Sequence, residues 1–246
     1  MPEQQPHRHV PLQKTMPALL SFVAGYVDSY TYLALFGLFV AQVTGSFVIA
    51  GAEIVRHDAG AIGKLLAMLV FIIAAAMTAA LIALARERGY APMPWMLALE
   101  AALLAVFVAI ILFGPDVNGA NDWHGITAGL FAASAMGAQS VLVRLLMKGI
   151  PQTNVMTGNM TQLGIALTDI VMARRQLARS SHDKAAIAQY HTVRDQLLVV
   201  LAVAAGFLVG AAAGAVAFVT IGVRGALLAV AIVVALALWT LFHAQE

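Results

Sequence analysis

Hydrophobic residues along this chain come in long runs rather than in two-residue alternation or heptads. The runs fall at 17–36, 43–56, 62–85, 93–113, 123–147, 155–172, 195–220 and 223–243. A helix needs about 20 apolar residues to cross the hydrocarbon core of a bilayer, and six runs reach that length. The other two, 43–56 and 155–172, are shorter and each opens on a Thr-Gly step. Val43-Thr44-Gly45-Ser46-Phe47 and Met156-Thr157-Gly158-Asn159-Met160 lie 113 positions apart, and Gly51 keeps the same spacing to Gly164. Paired interruptions in corresponding halves point to discontinuous helices meeting near the bilayer midplane. The pattern predicts an all-α integral membrane protein: six transmembrane helices plus two re-entrant or broken half-helices, arranged as an inverted 3+3 repeat.

Charge decides whether the two short segments turn back or cross. With the N-terminus inside and both segments re-entrant, eleven Lys and Arg fall on the inner side and three (Arg56, Lys64, Arg224) on the outer. If all eight segments cross, the split falls to nine against five. Cytoplasmic loops carry the excess of Lys and Arg, so the re-entrant arrangement is favoured. It divides the chain into a disordered cytoplasmic tail (1–15), a first membrane repeat (16–113), an external linker (114–122) and a second repeat (123–246). The second repeat contains a basic, hydrophilic cytoplasmic loop at 173–194. Three spans per half, an odd number, invert the second copy relative to the first.

Composition agrees and narrows the function classes. The chain is 61% hydrophobic and 11% charged, with mean hydropathy +0.87, against about 25% charged in a soluble domain. Absence of cysteine removes disulfides, thiolate metal sites and thiol nucleophiles together. No two histidines form a metal-ligand pair at helical spacing, and no Walker loop, zinc-protease helix or serine elbow is present. The expectation is a non-enzymatic protein with no metal, no cofactor and no nucleic-acid partner. Its partners are the lipid bilayer, a small molecule or ion, and a second copy of itself if packing requires one.

The candidate site gathers the polar residues at membrane depth. Asp28 lies inside the first span, in Ala24-Gly25-Tyr26-Val27-Asp28. An intramembrane carboxylate costs roughly 2.5–3.5 kcal/mol on insertion scales and so should face protein or water. Its counterpart by motif is Gln139, in Met136-Gly137-Ala138-Gln139-Ser140. Asp28 serves either a solute or a structural hydrogen bond to a broken backbone. A helix that begins inside the membrane leaves N–H groups unpaired. Thr44 or Ser46 and Thr157 or Asn159 are suitable caps, and Gly45 and Gly158 permit close approach. Two such ends would suit an anion or a carbonyl-bearing solute. Glu100, inside the third span, has no acidic counterpart, whereas Glu53 and Asp169 are expected to be solvated. Gly206, Gly210 and Gly214, and the matching Ala75, Ala79 and Ala83, are small-residue stripes for helix packing within the protomer or a dimer.

Taken together, Ala24 to Asp28, the Leu33-Ala34-Leu35 to Phe39-Val40 run, both Thr-Gly motifs and Met136 to Ser140 make the chain similar to the YoaK-like family of small bacterial membrane proteins. The resemblance covers about residues 16 to 243 and implies a bacterial plasma-membrane location and roughly six spans. The family is of unknown function and supplies no substrate. Where it usually shows Asn after the first Thr-Gly, this chain has Ser46. The residues thus point to a small transport protein, a secondary transporter or channel-like facilitator, with both termini cytoplasmic. The alternative is a non-transport membrane protein that binds lipid or a protein partner.

Overall fold

The computed structural model describes residues 11–179 and 183–243, and among them it contains helices and no strand. The helices are α1 (Pro11–Ala34), α2 (Val43–Arg56), α3 (Ala61–Glu87), α4 (Pro92–Phe113), α5 (Trp123–Leu146), α6 (Met156–Arg179), α7 (Lys184–Ile221) and α8 (Leu227–His243), with a 3₁₀ turn at Gly222–Ala226. Local chemistry sets several of the ends. Pro92 occupies the first turn of α4, where its missing N–H costs nothing. The Asp122 carboxylate caps α5 by accepting from the His124 N–H, and Asp183 caps α7 through Ala185. N–H groups of Asn118 and His124 hold the exposed Asp122 carboxyl below its usual range. Gly222, at φ +61°, stops α7 and turns the chain back.

Among the described residues, four helical stretches are long and apolar enough to cross a membrane: Ala61–Glu87, Pro92–Phe113, Trp123–Leu146 and the 60-residue run Lys184–His243 that holds α7, the 3₁₀ turn and α8. Many large apolar side chains stay exposed on these helices, among them Leu69, Ile72, Ile73 and Met77 on α3, as a lipid-facing surface requires. The chain is a multi-pass membrane protein. Helix α1 does not reach the hydropathy of the others because it carries Ser21, Asp28, Ser29 and Thr31. It is nonetheless the buried centre: Leu20, Ser21, Val23, Ala24 and Thr31 are fully enclosed. The polar residues of α1 are turned into the protein while the apolar faces of the longer helices stay outside, as the cost of polar groups in hydrocarbon demands.

Pairing between helices follows an exchanged scheme. The first-half helix α1 packs mainly along α7 from the second half, and α5 packs along α3 and α4 from the first; α2 rests on α3, α6 on α7, and α4 on α8. Gly206, Gly210 and Gly214 of α7 abut the carbonyl oxygens of Ala18, Phe22 and Tyr26 in turn, so α1 and α7 run parallel at backbone contact. Their stripe therefore packs within the protomer. Gly137 of α5 makes the corresponding approach to Phe71 of α3. The alanine stripe does not match it, since Ala83 is exposed. Gln139 of α5 reaches Leu20 of α1, while Gly129 meets Leu35 and Leu38 beyond its other end. Helices α1 and α5 are accordingly antiparallel.

Two expectations are corrected here. Residues 173–194 are not a loop: α6 continues to Arg179 and α7 starts at Lys184, with 180–182 outside the described residues. At 38 residues, α7 is roughly 57 Å long from the helical rise of 1.5 Å per residue. That is nearly twice a hydrocarbon core of about 30 Å, so its hydrophilic first turns extend beyond any span. The tail expected at 1–15 falls on residues 1–10, outside the described residues, and on the first turn of α1.

Candidate functional site

Two segments without regular structure, 35–42 and 147–155, precede α2 and α6. Irregular backbone at membrane depth is tolerated only when protein covers it and pairs its polar groups. Both segments meet that condition through side chains on α1 and α5. The Asp28 carboxylate, 2% exposed, accepts three backbone N–H groups: Val40 and Ala41 at 2.7 Å on Oδ1, and Gln42 at 3.1 Å on Oδ2. Gln42, the residue before α2, makes no side-chain cap. Asp28 therefore pairs the backbone donors of the irregular turn that leads into α2.

Gln139 does the parallel task on α5. Its Nε2 donates to the Leu20 carbonyl and to Thr153 Oγ1, both at 2.8 Å. Thr153 is fully buried, and its own carbonyl accepts from Ser21 Oγ at 3.0 Å. Next to it, Asn154 Nδ2 reaches the Ala41 carbonyl at 3.4 Å. Ala41 and Asn154 are 113 positions apart, the spacing of the Thr-Gly steps, so equivalent points of the two segments touch. The contacts around each segment are matched as well. Ser46 Oγ donates to the Phe39 carbonyl at 2.8 Å and accepts from the Phe39 N–H at 3.1 Å. Asn159 Nδ2 donates to the Gln152 carbonyl at 2.7 Å, again seven residues back. Ser46 and Asn159 thus do one job with different side chains.

Not every predicted residue joins this centre. Asp28 and Gln139 are buried within it, and Ser46 and Asn159 are buried beside it. Thr44, Thr157 and Gly158 are exposed, and Gly45 packs on the ring of Phe39. The helices start at Val43 and Met156, before the Thr-Gly steps, so the threonines lie in the first turns and are not the caps. Glu53, expected in solvent, is instead bound to Lys64 Nζ at 2.7 Å, with the two side chains 14% and 2% exposed. Lys64 also donates to the Phe36 carbonyl, which ties α2 and α3 to the end of α1. Beside it lies a cavity of about 20 Å³ lined in part by Gly60, Gly63, Lys64 and Ile126. Asp169 is exposed as expected.

Sequence reading overlooked Ser21, Thr153 and Asn154. The signal was present: carrying the 113-residue alignment back from Thr157 sets Gln152-Thr153-Asn154 on Phe39-Val40-Ala41. Polar residues there replace apolar ones, which hid the equivalence. Glu100, fully buried on α4, has no hydrogen-bond partner for either carboxyl oxygen among the described residues. No group of three or more His, Cys, Asp or Glu that could hold a metal occurs among those residues.

Comparison with known proteins adds a family. Residues 16–240 match the model of the family described as protein of unknown function DUF1275, and the chain belongs to it. The YoaK-like resemblance is consistent with this assignment. No curated protein and no solved structure matches.

Proposed function

We propose that this member of the DUF1275 family is a small transport protein, a secondary transporter or channel-like facilitator of the bacterial plasma membrane. Its site lies where the two irregular segments meet. One observation carries the reading: the Ala41 carbonyl and Asn154 Nδ2, equivalent points of the two halves, are in contact in a buried polar centre that also contains Asp28, Gln139 and Thr153. Polar groups gathered inside a membrane protein at the junction of two repeats are the recurring form of a transport site.

The proposed topology has six spans in an inverted 3+3 repeat, both termini in the cytoplasm and residues 114–122 outside. Antiparallel α1 and α5 support it, because equivalent helices of an inverted repeat must point in opposite directions. The parallel pairs α1–α7 and α3–α5 support it too, since an inverted repeat maps one pair onto the other. Single cysteines in this cysteine-free chain, labelled with an impermeant maleimide, test the topology. Labelling of residues 114–122 only from the cytoplasmic side would overturn it.

Transport is tested on purified protein in liposomes by stopped-flow light scattering, with urea, glycerol, ammonium, formate, acetate and nitrate as solutes. Faster flux of any of them than in empty vesicles supports the reading; empty-vesicle rates throughout oppose it. A second reading, lipid binding without transport, has its own observation. A groove of about 250 Å³ between α3 and α4 is lined by Leu81, Leu84, Ala85, Arg88, Tyr90, Trp95 and Met96. Aromatic and basic residues over an apolar floor suit the headgroup boundary.

A further inference from the structure

We infer that the solute at the meeting point is a small hydrogen-bond donor, neutral or singly positive, rather than an anion. The inference rests on the transport reading and specifies its substrate class. Three observations carry it.

First, the N–H groups of the turn ahead of α2, which could attract an anion, are already engaged. The N–H groups of Val40, Ala41 and Gln42 all end on the Asp28 carboxylate. The protein's own anion occupies the place ahead of α2 where a bound anion would sit.

Second, the buried side-chain atoms left without any partner are acceptors. Among the described residues, the buried side-chain atoms without a partner are Glu53 Oε2, both oxygens of Glu100, Gln139 Oε1 and Asn154 Oδ1. Every one is an oxygen. The amide orientations follow from chemistry: Leu20 O and Ala41 O can only accept, so Gln139 and Asn154 must turn their NH₂ groups to them. That leaves Gln139 Oε1 and Asn154 Oδ1 unpaired on side chains that are 1% and 5% exposed. Both side chains belong to the centre, one bonded to Thr153 and the other next to Thr153 in sequence. A buried acceptor without a donor costs about 1–3 kcal/mol, and a ligand bringing N–H or O–H groups recovers that cost. An anion brings only further acceptors.

Third, the buried charges oppose an anion. The buried charged residues among those described are Asp28, Glu100 and Lys64. Lys64 is already paired with Glu53, so no buried ammonium or guanidinium is free to neutralise an entering anion.

The test is a solute-dependent thermal shift on the purified full chain in detergent. Ammonium, methylammonium and urea form one set of probes; formate, acetate and nitrate form the other, at matched ionic strength. A ligand that binds only the folded state raises its melting temperature. The expected result is a saturable rise with at least one donor probe and none with the anions. Asn154→Ala should weaken that response at least tenfold in half-saturating concentration. If Asn154→Ala does not fold, Gln139→Met provides the same readout. A rise with anions alone, or with none of the six probes, overturns the inference. Liposome flux separates this failure from failure of the transport reading. Formate or nitrate crossing while the donors do not would leave transport standing and remove the donor class; no flux of any solute would remove both.

Discussion

Replacing Asp28 in two ways separates its hydrogen-bonding geometry from its charge. Oδ1 accepts two N–H groups at 2.7 Å, and Oδ2 accepts one at 3.1 Å. In Asp28→Asn the amide oxygen can hold the Oδ1 position and keep Val40 and Ala41. Its NH₂ then faces the Gln42 N–H, donor to donor. One donor is orphaned, at about 1–3 kcal/mol, and the two retained bonds lose their charge assistance. Asp28→Leu orphans all three donors, for a loss of roughly 3–9 kcal/mol on the same scale. Water cannot make good the loss at a site that is 2% exposed. The upper figure falls to the extent that the unfolded chain in the membrane also finds partners. Fluorescence-detected size exclusion after graded heating, at one fixed pH, should rank wild type above Asp28→Asn, and Asp28→Asn well above Asp28→Leu. Equal stability of the two variants would refute the assignment of three N–H bonds to this carboxylate.

Three further outcomes follow from the same contacts. Ser46→Ala removes both bonds to Phe39 and should lower stability by about 1–3 kcal/mol. Ser46→Asn should stay near wild type in the same melt, because Asn159 makes the equivalent bond. Gly210→Ala drives a methyl into the Phe22 carbonyl and should cost monodispersity in size exclusion. Gly51→Ala, with open space around it, should match wild type. Lys64→Met strands the Glu53 carboxylate and should cost about 3–5 kcal/mol in urea unfolding, with most of that recovered in Lys64→Met/Glu53→Leu.

Helix existence was legible in the sequence because a lipid-facing run of 20 apolar residues has few other structural solutions. The 113-residue spacing of Thr44-Gly45 and Thr157-Gly158 also separates Ala41 from Asn154, which touch, although the two threonines are themselves exposed. Thr and Gly at these steps are exposed or packed on their own segment, and the bonding is done by Ser46 and Asn159, each the residue right after its Thr-Gly step. Asp28 and Gln139 could be found because polar residues stand out in apolar helices. Thr153 and Asn154 could not be found in the same way, since polar residues are ordinary in a segment between helices. The Glu53–Lys64 pair was missed for another reason. Both residues lie near helix ends, where charge usually means water, and only tertiary packing brings α2 down over the start of α3.

The contact between α1 and α7 also has a temporal side. Helix α1 leaves the ribosome six helices before the glycine stripe that will receive it, and it carries the Asp28 carboxylate. A lone carboxylate in that interval would be exposed to hydrocarbon. The chain that emerges next, residues 40–42, brings the three N–H groups that quench it. The irregular turn before α2 is therefore an escort for α1: it keeps the Asp28 carboxylate paired until a partner synthesised near the end of the chain arrives.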